Sequence, residues 1–200
     1  MKKLIALLII ISSVLCLFSC SKSNDLLYES YTIEIEIEEY GVITAVLDAK
    51  NAPITVKNFL SLIEEGYYNG IAFHRIIEGF MMQGGDPDGD GISNGDKPTI
   101  KGEFSTNGVK NEISHIRGTL SMARTGDPNS ASTQFFIMHQ NGIHLDGKYA
   151  AFGRVTKGIE IVDKICEDAV VTDSNGTVHK DYRPVIKEIR LLTPESEASK

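Results

Sequence analysis

This chain of 200 residues has little cysteine, no long apolar run and no excess of basic charge, and each shortage excludes something. Three Cys are too few for a disulfide scaffold. Twenty Lys and Arg against 27 Asp and Glu leave a net charge of −7. An acidic balance argues against nucleic acid as a partner, because neutralising phosphates needs a basic surface. The longest apolar run, Leu4 to Phe18, has about 15 residues, short of the ~20 that a membrane-spanning helix needs. Eighteen Gly and six Pro, with 42% hydrophobic and 24% charged residues, exclude a collagen-like chain, a coiled coil and wholesale disorder. What remains is one globular domain with its own core, or at most two small ones.

The N-terminus reads as a processing segment. Lys2 and Lys3 precede the apolar run and Leu17-Phe18-Ser19-Cys20 ends it, the pattern of a signal peptide over residues 1–19. The break resembles the lipobox of bacterial lipoproteins, in which the Cys, here Cys20, becomes the first residue and carries the lipid. A plain secretory signal or an uncleaved anchor helix are the alternatives. Cleavage there discards Cys16 and removes Lys2 and Lys3, which takes the net charge from −7 to −9. Cys166 is then the remaining thiol, so no internal disulfide forms. Residues 20–30 are polar and read as a tether. Acylation would hold the domain at a membrane without making it integral. The location expected is the bacterial cell envelope, lipid-anchored, with the leaflet open. In a diderm envelope, Ser21 lacks the Asp that marks inner-membrane retention.

The body, residues 31–193, reads as β-rich. Residues 32–38 alternate Ile with Thr or Glu, the pattern of a half-buried strand. Tyr40-Gly41 makes a turn and residues 42–48 a second strand, so the pair predicts a hairpin. After Pro53, the spacing of Val56, Phe59, Leu60 and Ile63 predicts a helix stopped by Gly66. Residues 71–76, 81–83, 118–123, 134–139 and 150–155 are strand candidates separated by Gly-rich turns. Ile159, Val162, Asp163 and Cys166 fit a second helix, residues 184–192 a last strand and residues 194–200 a polar tail. Many short strands with two helices predict a mainly β fold, a closed barrel with helices covering its ends. On periodicity alone a sandwich fits nearly as well.

Three stretches carry chemistry: Phe73 to Asp86, Leu120 to Ile137, and His144 to Val155. Arg75 sits in an otherwise apolar strand, so it either pairs with a partner or lines a cavity. Phe80, Met81, Phe136 and Leu145 can wall an apolar pocket, with Arg75, Gln83 and Gln134 as its few polar groups. A core holding one buried, satisfied Arg is the competing reading.

The same stretches closely resemble the cyclophilin family of peptidyl-prolyl cis-trans isomerases, in the family's order, over Ile33 to Leu192. The resemblance implies a closed eight-stranded antiparallel β-barrel capped by two α-helices. It implies Arg75 as the catalytic arginine and Phe80, Met81, Phe136 and Leu145 as walls of the proline pocket. Gln83 would hydrogen-bond the substrate backbone, with Ala123, Arg124 and Gln134 along the groove for the preceding residues and His74 beside the arginine. Arg124 stands where the family often has Asn, and Tyr149 where it often has His. His144 stands where many eukaryotic members have Trp, which implies weakened cyclosporin binding. The partners implied are proline-containing polypeptides, the chemistry needs no cofactor or metal, and a monomer is the default. The activity expected is isomerisation of Xaa-Pro bonds in exported proteins. A non-catalytic proline-peptide binding module or holdase on the tether is the alternative, and a host-interaction role is compatible with either.

Other features are weaker. Asp86, Asp88 and Asp90 before Gly91 imitate a calcium loop, but Lys97 stands at the twelfth position, where a bidentate Glu is required. A Gly/Asp surface turn is the plainer reading. His115, His139 and His179 show no metal-ligand spacing. Cys166 reads as a small core residue, and Asn175-Gly176 as a hairpin turn.

Overall fold

The computed structural model describes residues 29–92 and 95–192. Residues 1–28, on which the signal-peptide, lipobox and Cys20 readings and most of the tether reading fall, and residues 193–200, which include the expected tail, lie outside the described residues. Eight strands form one sheet: β1 (Ser30–Ile37), β2 (Gly41–Asp48), β3 (Arg75–Ile77), β4 (Met81–Gly84), β5 (Thr119–Met122), β6 (Phe135–Met138), β7 (Ala151–Lys157) and β8 (Ile186–Leu191). Their spatial order is β3-β4-β6-β5-β7-β2-β1-β8, and every neighbouring pair is antiparallel. Two helices, α1 (Pro53–Glu64) and α2 (Ile159–Asp168), pack against the sheet.

The expected closed barrel is corrected to an open half-barrel. Edge strands β3 and β8 share no ladder; a single bridge, Ala72 to Val185, joins the segments that precede them. The cause is local. β3 has only three residues, and Pro184 before β8 has no N–H to donate, although its carbonyl accepts from Phe73 N–H at 2.8 Å. The free side of β3 is covered instead by the loop after α2. Ile76 N–H donates to Gly176 O at 2.8 Å and Val178 N–H to His74 O at 2.9 Å.

The inward faces follow the sequence pattern. Ile33, Ile35 and Ile37 are buried, opposite Ala45, Ile43 and Gly41 of β2. The intervening Glu34 and Glu36 point to the other face of the sheet, where Glu34 is buried beside Arg190 and Glu36 meets Arg190 and Lys187. The apolar stripe of α1 drives Phe59 into the core against Tyr68, Phe135 and Phe152, with ring centroids 5.0–5.2 Å apart. Pro53 suits the first turn of α1, but Ala52 before it supplies no side-chain cap. Glu103 does, from 48 residues away: its carboxylate accepts from Ile54 N, Thr55 N and Thr55 Oγ1 at 3.0, 2.8 and 2.7 Å. On α2, Val162, Ile165 and Cys166 are buried. Asp163, which the periodicity put on the apolar stripe, instead faces Arg117 as a bidentate partner, with His139 Nε2 3.3 Å away. Burial pushes the Cys166 thiol up to about 12, as befits a core residue.

Candidate active site

Strand register assembles the site. Across β3, β4, β6 and β5, Arg75 is paired with Gln83, Gln83 with Phe136, and Phe136 with Ser121. Two residues along, Ile77, Met81 and Met138 form the next row on the same face. The alternate residues Ile76, Met82, Ile137 and Leu120 point the other way, into the main core. The site therefore lies on the outer face of the sheet, over a second apolar cluster of Met81, Phe136, Met138 and Leu145. Ile77, Phe80, Ala123 and Tyr149 pack against that cluster.

The elements around the rows complete the walls. Phe80 ends the β3–β4 turn, its carbonyl held by His139 N–H at 2.9 Å. Leu145 comes from a 3-10 helix, Ile143–Leu145, and Tyr149 from the turn before β7. Arg75, Phe80, Met81, Gln83, Ala123, Arg124, Phe136, Leu145 and Tyr149 line one cavity of about 150 Å³. A neighbouring cavity of about 100 Å³, lined by Gln83, Ala123, Arg124, Gln134 and residues of the 125–133 loop, continues it as a groove.

Arg75 is half-buried at the pocket edge rather than sealed in the core, which decides between the two readings of its strand. Its Nε donates to Asn175 O at 2.8 Å and its Nη1 to Gln83 Oε1 at 3.2 Å. Gln83 Nε2 in turn donates to Gln134 Oε1 at 2.9 Å. This chain of bonds fixes the plane of the guanidinium and both amides. Opposite, Arg124 lies 4.6 Å over the Tyr149 ring and 5.2 Å from that of Phe104. Its Nε and Nη2 donate to Lys148 O and its Nη1 to Thr125 O. Phe136 is braced edge-on by Tyr149, and His115 stacks on it at 6.1 Å between centroids.

Two of the residues singled out above lie off the pocket. His144 is exposed on the 3-10 helix and stacks on Phe80 at 5.6 Å, forming a rim. His74 is buried on the far side of Arg75, beneath the 86–91 turn, where burial holds its imidazole below the usual range. Neither of its ring nitrogens has a hydrogen-bond partner among the described residues. The 86–91 turn closes on itself through Gly91 N–H to Asp86 Oδ2 at 2.7 Å, and Asp86 is buried rather than a surface residue.

Other contributors gave no sequence signal. His115, read as one of several scattered histidines, is held by Asp146 Oδ1 at 2.8 Å and Ser121 Oγ at 2.9 Å directly against Phe136. Burial holds it below its ordinary range despite Asp146. Asn175 acts through its backbone, 100 residues from Arg75. No group of three or more His, Cys, Asp or Glu among the described residues is arranged to hold a metal ion.

The site is thus an apolar pocket on a sheet face, edged by one immobilised guanidinium and two linked amides. The profile of the family described as cyclophilin type peptidyl-prolyl cis-trans isomerase/CLD matches residues 32–191. The chain is 45% identical over 132 residues to peptidyl-prolyl cis-trans isomerase A of Dickeya dadantii, covering 64% of this chain and 67% of that protein. It is 38% identical over 161 residues to an Arabidopsis thaliana peptidyl-prolyl cis-trans isomerase, covering 80% of this chain and 90% of that one. A crystal structure of a Cryptosporidium parvum cyclophilin superposes with a TM-score of 0.71 at 30% identity, over 82% of this chain and 98% of that one. A second crystal structure of that cyclophilin, in the presence of the dipeptide Ala-Pro, gives 0.70. This chain belongs to the cyclophilin-type peptidyl-prolyl cis-trans isomerase family, and its reaction is rotation about the peptide bond that precedes proline.

Proposed function

We propose that the pocket over Met81, Phe136 and Leu145 grips the proline ring of an Xaa-Pro segment while Arg75 acts on the prolyl nitrogen. The unaided bond rotates over tens to hundreds of seconds, against an amide-resonance barrier of about 18–20 kcal/mol. Reaching milliseconds takes about five decades, or roughly 7 kcal/mol. As the bond twists, resonance is lost and the lone pair returns to nitrogen, where a guanidinium stabilises it. Arg75 stays charged at any working pH. Because Asn175 O and Gln83 Oε1 hold it before substrate arrives, little reorganisation opposes the step. Gln83 and the Ala123–Arg124–Gln134 groove hold the flanking chain. Phe80, with His144 stacked on it, closes one end of the pocket and Tyr149 another.

The observation that carries this reading is the anchored guanidinium beside an apolar pocket. The test is cis-to-trans isomerisation of a short Xaa-Pro peptide by the protein and by its Arg75→Ala and Arg75→Lys variants. Loss of most turnover in Arg75→Ala and of a large part in Arg75→Lys supports the reading; full turnover by Arg75→Ala refutes it. Slow turnover by all three would favour the proline-peptide binding module.

The lipobox Leu17-Phe18-Ser19-Cys20 supports a further reading: an exported, lipid-anchored isomerase that assists folding of proteins at a bacterial envelope. Cys20→Ala tests it. The wild type should incorporate a radiolabelled fatty acid in a bacterial host and fractionate with membranes, and the variant should do neither.

A further inference from the structure

The anchor of Arg75 is a carbonyl on an exposed loop, and something must hold that loop. The segment after α2 folds into a tight hairpin: Thr172 N–H donates to Thr177 O at 2.8 Å, and Gly176 takes the positive φ of 82° that the turn requires. Asp173 sits at the centre of it. Its Oδ1 accepts from Asn175 N at 2.9 Å and Thr177 N at 3.1 Å, and its Oδ2 accepts from Thr177 Oγ1 at 2.9 Å. Its own carbonyl accepts from Gly176 N at 3.2 Å. The turn is then laid against β3, through Gly176 O to Ile76 N–H at 2.8 Å and an antiparallel bridge between Thr177 and Arg75. Arg75 Nε ends on Asn175 O.

We infer that Asp173 is a positioning residue for Arg75, holding through the 173–177 turn the carbonyl that fixes the guanidinium. This rests on Arg75 being the catalytic residue. Asp173 is outside the lining of the pocket, so its effect on the guanidinium passes through the turn it holds: the Asn175 carbonyl that accepts from Arg75 Nε, and Thr177, which bridges the Arg75 backbone. Without the carboxylate, the N–H groups of Asn175 and Thr177 turn to water and the Asn175 carbonyl loses its fixed position. Arg75 then keeps Gln83 Oε1 at 3.2 Å and the weak Met81 Sδ contact at 4.0 Å, both through Nη1, and samples more orientations, so the cost falls on the step that needs the guanidinium aimed. A displacement of an ångström is enough to cost decades in rate.

The experiment measures kcat and KM of the full chain on a short Xaa-Pro peptide, with Asp173→Ala, Asp173→Asn, Arg75→Ala and the Arg75→Ala/Asp173→Ala double variant. Asp173→Ala should lower kcat about tenfold with KM within about twofold, whereas Asp173→Asn, which keeps an Oδ1 acceptor, should retain kcat within about twofold. In the Arg75→Ala background, Asp173→Ala should change nothing further. Wild-type kcat in a folded Asp173→Ala protein overturns the proposal, and so does an added loss in the double variant. Full turnover by Arg75→Ala overturns the catalytic reading itself, a separately visible result. A spectroscopic check uses the Arg75 Nε–H resonance, which should exchange with solvent faster in Asp173→Ala and in the milder Thr177→Val. An unchanged exchange rate in the Thr177→Val protein, should Asp173→Ala fail to fold, overturns the proposal.

Discussion

Replacing Glu103 with Ala removes the cap of α1 from a distance, and the structure sets the size of the effect. Glu103 is 2% exposed and its carboxylate accepts three hydrogen bonds, from Ile54 N, Thr55 N and Thr55 Oγ1. Thr55 is fully buried, so its N–H and hydroxyl lose their partner with no ready access to water; Ile54 is exposed and its N–H can be hydrated. Each unsatisfied buried group costs about 1–3 kcal/mol, and the loss of negative charge at a helix N-terminus adds about 0.3–1 kcal/mol. The total is about 3–5 kcal/mol, since neighbouring terms do not simply add. For a domain of this size that is a fall in Tm on the order of 10 °C. Thermal and urea unfolding measure it. Glu103→Gln, which keeps one acceptor but turns an N–H donor toward the helix donors, should fall between the two. Turnover of an Xaa-Pro peptide well below Tm should stay within about twofold, because the Glu103 carboxylate bonds only α1 and lines neither cavity of the site. A loss below about 1 kcal/mol in the Ala variant would refute the capping role.

Three further predictions follow from charge and burial. Burial holds the imidazoles of His74 and His115 below their ordinary 6.5, so the unfolded chain takes up protons there that the folded chain refuses, and stability falls as pH drops below about 6.5. Asp163, bonded by Arg117, and Asp173, bonded by Thr177, are held below their ordinary 3.8, so their contribution is present above that value and lost as pH falls through the depressed ones. Urea unfolding from neutral to acid pH should show a two-stage decline, and a rise in stability just below pH 6.5 would contradict the first stage. Arg124 commits one N–H each of Nε, Nη1 and Nη2 to Lys148 O and Thr125 O but keeps its full charge beside the groove, so its field acts on a charged residue before proline. Glu-Pro peptides should turn over about two- to threefold faster than Lys-Pro peptides at low salt and equally at high salt; equal rates at low salt would remove the effect. Cys166, buried with its thiol pushed up to about 12, should react with a thiol reagent only as fast as the domain opens, and labelling as rapid as in the denatured chain would show the core reading to be mistaken.

Local patterns carried the fold as far as they reach. The Ile alternation in residues 32–38 and the spacing of Val56, Phe59 and Ile63 declared their elements because side-chain direction repeats every two residues in a strand and about every 3.6 in a helix. The same logic misplaced Asp163, since a periodic position says which face a residue occupies but not whether an Arg waits there. The family signature made Arg75, Gln83 and the apolar wall legible, while His74, its immediate neighbour, sits behind them.

Sequence by itself determined which residues are apolar, which are charged and where the chain turns, because these are properties of a residue and its near neighbours. Tertiary structure alone decided that Glu103 caps α1, that His115 backs Phe136, and that β3 meets the 173–177 turn instead of closing on β8. Each of these joins segments that are far apart in the chain, or depends on how many residues a strand can keep in register. Asn175 offers Arg75 only a backbone carbonyl, a group every residue has, so no residue type could have announced it; only the path of the chain through α2 and back to the sheet edge brings it there.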